Sequence, residues 1–117
     1  MTAGRLKERV TFQRLTEGDD GYGNTVTGWA NMERSAGVAL TVWADVRETP
    51  GKERVDAGRV EASRTATIRI RASSEVSGVT GADRVIARGE AWNIRSIAPV
   101  GNDRAMLDLL VENGVAT

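Results

Sequence analysis

Apolar and polar residues alternate along this chain in short runs broken by turn formers. Val10 and Phe12 share one face of residues 9–16, with Thr11 and Gln13 opposite, a period of two that predicts a strand. Residues 1–8 are polar around Leu6 and read as an arm or a single turn. Residues 17–24 are rich in Gly, Asp and Asn and predict a hairpin connection. Residues 25–32 read as a weaker strand with Gly28 as a bulge, and 33–37 as a loop. Residues 38–47 predict a clear strand, with Val38, Leu40, Val42, Ala44 and Val46 on one face and Trp43 on the other. Ala66, Ile68 and Ile70 form the inner face of another over 64–72, with Thr and Arg outside. Residues 73–83 read as loop with at most one turn, and 84–89 as a short strand.

The strand over 91–98 changes phase at Ile97, which predicts a bulge or bend. Residues 104–112 fit a helix through Met106, Leu109 and Leu110, or a strand through Leu107, Leu109 and Val111; an otherwise all-β chain favours the strand. Six or seven short antiparallel strands separated by Gly-rich turns predict an all-β chain. The expected architecture is one small β-barrel or sandwich domain spanning 1–117, carrying one long inter-strand loop.

That loop, residues 48–63, holds about sixteen residues with almost no large apolar side chain. Connections in compact domains are usually about 4–6 residues, and longer ones without structure of their own are functional or disordered. Its charged residues are Glu48, Lys52, Glu53, Arg54, Asp56, Arg59 and Glu61, which compose no catalytic set. The work expected of it is contact with a partner.

Composition narrows the function further. Sixteen basic residues balance sixteen acidic ones, so the formal net charge is zero. A free-standing nucleic-acid binder usually carries a basic excess, and near-neutrality is compatible with assembly. Lys occurs only at 7 and 52; the other basic residues are Arg, whose planar fork suits interface ion pairs. The chain contains neither Cys nor His, which removes disulfides, thiolate metal sites, cysteine nucleophiles and the commonest general base. No cofactor and no metal are expected. No apolar run approaches the roughly 18 residues of a membrane span, so no membrane partner is expected, and the chain is expected to be made in the cytoplasm.

Asp19, Asp20, Gly21, Gly23 and Asn24 resemble a calcium loop in composition only, without the closing Glu of an EF-hand. Scattered acids such as Asp45, Glu48, Glu53 and Glu90 offer no visible converging pair, so a small hydrolase is the weakest reading. Arg64, Arg69 and Arg71 would have to form one basic face for the alternative reading, a small nucleic-acid-binding β-barrel. With no exposed aromatic interleaved for base stacking, an ion-pair face between proteins is favoured. The candidate interface residues are Trp43, Arg64, Arg69, Arg71 and Tyr22.

The order of features also resembles a family. Gly4-Arg5-Leu6 precedes Arg9-Val10-Thr11-Phe12-Gln13-Arg14, and Asp19-Asp20-Gly21-Tyr22-Gly23 follows. Then come Trp43-Ala44-Asp45-Val46, Gly51 with Glu53, Thr67-Ile68-Arg69-Ile70-Arg71, and Trp92-Asn93-Ile94 with Ile97. The chain resembles the phage head–tail joining (head-closure or stopper) proteins of siphophages and gene-transfer particles. Residues 28–37 are longer than the family's usual link, and Trp92 stands where Tyr is more common. The resemblance implies a non-enzymatic virion protein that forms a homo-oligomeric ring. Its partners would be a portal-side adaptor, a tail terminator and, without sequence specificity, packaged DNA at the channel. It assigns the channel-facing role to about Glu48–Ser63.

Overall fold

The computed structural model describes residues 6–19, 21–23, 25–49, 54–56, 59–61, 64–101 and 105–113. Among these residues eleven strands run in chain order: β1 (Glu8–Asp19), β2 (Thr25–Asn31), β3 (Glu33–Ser35), β4 (Val38–Ala39), β5 (Thr41–Thr49), β6 (Arg54–Asp56), β7 (Arg59–Glu61), β8 (Arg64–Arg71), β9 (Arg84–Ala87), β10 (Glu90–Pro99) and β11 (Met106–Asn113). Seven form one antiparallel sheet, β2-β1-β5-β8-β11-β10-β9, and β1 pairs with β9 as well. That pairing closes β1, β5, β8, β11, β10 and β9 into a six-stranded barrel. Closure removes the open sheet edges that would otherwise template pairing with another chain.

The alternation read from the sequence fills this barrel. Val10 and Phe12 from β1, Ala44 and Val46 from β5, and Ala66, Ile68 and Ile70 from β8 are buried. Val85, Ala87, Trp92, Ile94, Leu109 and Val111 join them from β9, β10 and β11, and Leu40, Val76 and Val79 from the connections. Trp92 is fully buried, and its indole N–H donates to the Ala87 carbonyl at 3.2 Å. Burying so large a ring without an orphaned N–H is what makes it usable as a core residue.

β1 does three jobs. Residues 8–11 pair with β5, 11–13 with β9, and 13–19 with β2. At Phe12 the chain across the seam changes strand: the Phe12 N–H donates to the Leu40 carbonyl (3.0 Å), and the Met32 N–H donates to the Phe12 carbonyl (2.8 Å). Leu40 N–H donates to Met32 C=O at 2.6 Å and closes the base of residues 33–39. The strand line therefore leaves the barrel wall at Met32, forms the small β3–β4 hairpin, and re-enters at Leu40. Beyond the seam, β1 and β2 continue alone as a two-stranded arm.

Four expectations need correction. Gly28 is not a bulge; it pairs with Thr16 in unbroken register. Residues 33–37 are not merely loop, because β3 pairs with β4. Val38 does not share the inner face; it is exposed on that extruded hairpin. The 48–63 segment is not structureless: β5 runs to Thr49, and β6 pairs with β7. The strand reading of 104–112 holds as β11. The phase change at Ile97 corresponds to a register shift between Ile94 and Ser96.

Replacing Trp92 with Ala should cost about 3–5 kcal/mol, the usual range for emptying a large aromatic site in a core. Urea unfolding at neutral pH measures it, and a loss below about 1 kcal/mol would mean that Trp92 does not organise the core.

Candidate functional site

The strands place several chain connections at one end of the barrel. β1 starts there, β5 ends there at Thr49, β8 begins there at Arg64, and the β9–β10 turn closes there. That turn is Arg88-Gly89, with φ of 53° and 75°. Two successive positive φ values define the tight hairpin turn whose twist matches the flanking strands. Gly89 adopts its value freely, whereas Arg88 does so against the preference of a residue with a Cβ.

What Arg88 touches accounts for its tolerance there. Its guanidinium grips Glu8 with two bonds of 2.8 Å, reaches Glu48 at 2.6 Å, and donates to the Val46 carbonyl at 3.1 Å. Glu48 also accepts from Arg64, and Arg64 holds both oxygens of Glu90 at 2.8 Å. The Arg64 guanidinium lies 5.2 Å above the ring of Trp92. A continuous collar, Glu8–Arg88–Glu48–Arg64–Glu90, thus links β1, β5, β8 and the β9–β10 hairpin. Hydrogen bonding to Arg88 holds the Glu8 carboxyl below the usual glutamate range. Arg64, then Arg88, do the same to Glu48, and both arginines are raised in turn. Isolated surface ion pairs contribute little, but a bidentate, shared network is the case in which they matter.

This collar sits where the long excursion leaves the wall. The last rung between β5 and β8 is Thr49 opposite Thr65. Beyond it, β6 and β7 pair with Arg54 opposite Glu61, Val55 opposite Val60 and Asp56 opposite Arg59. The strand positions of Arg54, Asp56, Arg59 and Glu61 are therefore defined; Lys52 and Glu53 lie outside the described residues. Glu48 is a collar residue at the end of β5, not a residue of a free loop.

At the opposite end, Arg14 anchors the β1–β2 arm. It clasps the buried Asp83 at 2.9 and 3.0 Å and donates to the Gly78 carbonyl at 2.7 Å. Burial alone would push Asp83 up, but the bonds from Arg14 and the Thr80 N–H outweigh it and leave its carboxyl lowered. Tyr22, in the connection beyond the arm, is 88% exposed.

The candidate interface residues do not form one patch. Arg64 belongs to the collar, and Arg69 is bound to Asp108 at 2.7 and 2.9 Å on the β8–β11 face. Arg64 stands on the inward side of β8 over Trp92, so Arg64, Arg69 and Arg71 do not make the single basic face that a nucleic-acid barrel needs. Trp43 and Arg71 both line a groove of about 470 Å³, whose walls also include Leu6, Val42 and the Arg34–Glu75 ion pair. Trp43 is half exposed, with the Arg9 guanidinium 5.0 Å from its ring. Sequence reasoning missed Glu8, Arg88 and Asp83, since their partners lie up to eighty positions away. The Arg-Gly pair between two strand signals was the available hint.

A family model described as phage head completion protein matches residues 1–114. No curated protein matches the chain. A chain in the virion of a native gene transfer agent particle is similar at 21% identity, covering 96% of this chain and 97% of that one, with a TM-score of 0.66. Protein SF1141 of Shigella flexneri 2a, solved in solution, is 24% identical over all of both chains, with a TM-score of 0.64. These two similarities support the barrel fold.

If the collar braces this end, acid should loosen it. Glu8 and Glu48 have folded pKa values below their unfolded ones, so their contribution is full above the unfolded glutamate value of about 4.3 and is lost as pH falls through the folded values. Arg88→Gly keeps a residue suited to the turn but deletes the collar's centre. Urea midpoints measured from pH 7 to pH 3 should fall less steeply for the variant than for the parent. Parallel curves would show that the collar adds nothing.

Proposed function

The chain belongs to the phage head completion protein family, and from that premise we propose that it assembles as a head-closure ring between the portal-side adaptor and the tail terminator. Its role is structural, within the virion, in joining head to tail; the family is not a family of enzymes. The observation that supports the finer reading is the pairing of β6 with β7 within the excursion between the collar residues Glu48 and Arg64. A bare loop of this length would sample many directions. Strand pairing between β6 and β7 removes part of that freedom, so less ordering remains to be lost on contact.

In a ring, one hairpin per subunit would converge on the axis, and weak contacts would become multivalent by symmetry. The hairpin's sequence is mixed in charge: Arg54, Asp56, Arg59 and Glu61 sum to zero. Such a hairpin would meet packaged DNA without gripping it, which suits a plug that must later release. The rest of each ring would offer one rim to the adaptor and the other to the tail terminator. A site for sequence-reading of nucleic acid lacks support, because the collar and Asp108 occupy Arg64 and Arg69.

Shortening the excursion tests this reading. The last β5–β8 rung is Thr49–Thr65, so replacing residues 51–62 with a short Gly-Ser link leaves the wall intact. The variant barrel should unfold at an unchanged urea midpoint. Particles carrying it should package DNA but lose it, or fail to join tails, as scored by nuclease-protected DNA and electron microscopy. Particles that keep their DNA and tails at parental levels would remove the hairpin from the closure role.

A further inference from the structure

We propose that the β1–β2 arms of neighbouring copies join edge to edge, the outer edge of β2 in one copy pairing antiparallel with the outer edge of β1 around Leu15 and Glu17 in the next. The proposal rests on the ring reading above and names a contact that would build the ring. Backbone direction identifies the two edges. The Phe12 N–H and C=O both point to the side of Leu40 and Met32, which is the side of β2. That direction alternates along a strand. Arg14, Thr16 and Gly18 therefore turn their backbone groups to β2, while Leu15 and Glu17 turn theirs away. On β2 the same alternation turns Thr27 and Trp29 outward. Among the described residues, β2 has β1 as its one strand neighbour, and β1 beyond Gln13 has β2 alone.

An unpaired strand edge is a template for another strand, and proteins ordinarily blunt theirs with charges, Pro, bulges or short length. This chain does so elsewhere. Past Ile94, where β10 outruns β9, the strand carries a register shift, Arg95 and Pro99. Past Ala44, where β5 outruns β1, it carries Asp45, Arg47 and Glu48, and Arg88 takes the Val46 carbonyl. β3, β4, β6 and β7 are only two or three residues long. β2 has none of these safeguards. Its sequence, Thr-Val-Thr-Gly-Trp-Ala-Asn, includes no charge and no Pro, and it pairs with β1 in unbroken register throughout. A two-stranded ribbon is also marginal by itself in water, and this one leaves Leu15 half exposed opposite Trp29.

A second copy supplies the matching edge. Leu15 pairs with Trp29 and Glu17 with Thr27, so the residues that turn their backbone outward on the two edges all place their side chains on one face of the arm. Any register that hydrogen-bonds β2 to the next β1 through these groups keeps Trp29 on the same face as the next Leu15. The apolar row then runs on from copy to copy and covers the exposed leucine. Strand direction agrees as well. Rotation about an axis along the arms leaves every arm pointing the same way, so β2 of one copy meets β1 of the next in the antiparallel sense. Two like edges meet only about a two-fold axis between neighbours, which a head-to-tail ring lacks.

Thr27→Pro tests the ladder. The Thr27 N–H points away from β1, so Pro removes no hydrogen bond within the single chain, and edge strands accept it. The isolated variant should keep the parental circular dichroism, while its incorporation into particles should fall about tenfold or more, because the lost contact repeats around the ring. Thr27→Val, which keeps the N–H, should incorporate at the parental level. Undiminished incorporation of the Pro variant, or an equal loss from the Val variant, would overturn the proposal. Cysteine cross-linking decides the matter even if Pro unfolds the arm, since the chain has no Cys of its own. A Cβ at Gly28 meets nothing within 4 Å, so Cys fits there. Particles assembled from Thr16→Cys mixed with Gly28→Cys, or with Val26→Cys or Ala30→Cys for the adjacent registers, should yield oxidised dimers of this chain. Particles of any one variant alone should not. Dimers from Gly28→Cys alone would mark β2 pairing with β2, bonds to another particle protein would mark a foreign strand, and no dimers in any mixture would mark no pairing. Each of these outcomes overturns the contact and leaves the ring reading standing, whereas particles that contain no copy of the parental protein would overturn both.

Discussion

The closure of the barrel depends on β1 being hydrogen-bonded on both edges at once. Around Phe12 its backbone meets Leu40 and Met32 on one side, and its register meets Val85 on the other. The Phe12 side chain is fully buried at that crossing. Without the β1–β9 rungs, β1 and β9 would both become open edges, and the inward rows of β8 and β11 would lose the wall opposite them. One short stretch, Thr11 to Gln13, thus turns a sheet into a container for Trp92. Non-local pairings of this kind cost loop-closure entropy before they stabilise anything, so the seam is expected to form late in folding.

The balance of charges acts locally. A zero net charge could describe scattered ions in water, but most of the arginines with described side chains find a particular carboxylate. The collar ties β1, β5, β8 and the β9–β10 hairpin together at the end where β5 stops and β8 starts, and the Arg14–Asp83 clasp holds the arm at the other. Lys substituted into these sites would lose the bidentate geometry on which the collar relies, which gives the Arg-dominated composition a structural reason.

How much of this was legible in the sequence follows from the range of each interaction. Period-two alternation is local, so the core rows of β1, β5, β8 and β11 could be read directly, and the β10 bulge announced itself through Ile97. The extruded β3–β4 hairpin could not be read, because its strands are too short to show a period and the Met32–Leu40 bond that closes it is a tertiary fact. Val38 continued the alternation of β5 by coincidence of spacing. The collar was illegible for the same reason: Glu8 and Arg88 are neighbours only once the barrel has closed. Trp43 was identified correctly as outward-facing, while Arg64 was grouped with Arg69 and Arg71 by proximity along the chain, although its odd-even position already put it on the other face.

The three excursions share a construction that explains why a small barrel tolerates them. Each hairpin leaves the wall where its two ends are already neighbours: β3–β4 at Met32 and Leu40, β6–β7 beyond Thr49 and Thr65, and the arm as a continuation of β1 and β2. Inserting residues between points already held together adds little closure entropy, since that cost grows only slowly with length. Along the paired strands of an inserted hairpin the backbone groups satisfy one another. Length can therefore change at these points without disturbing the core. A barrel built this way keeps its fold under one set of constraints and meets its partners under another, which is what a structural subunit wedged between two different assemblies requires.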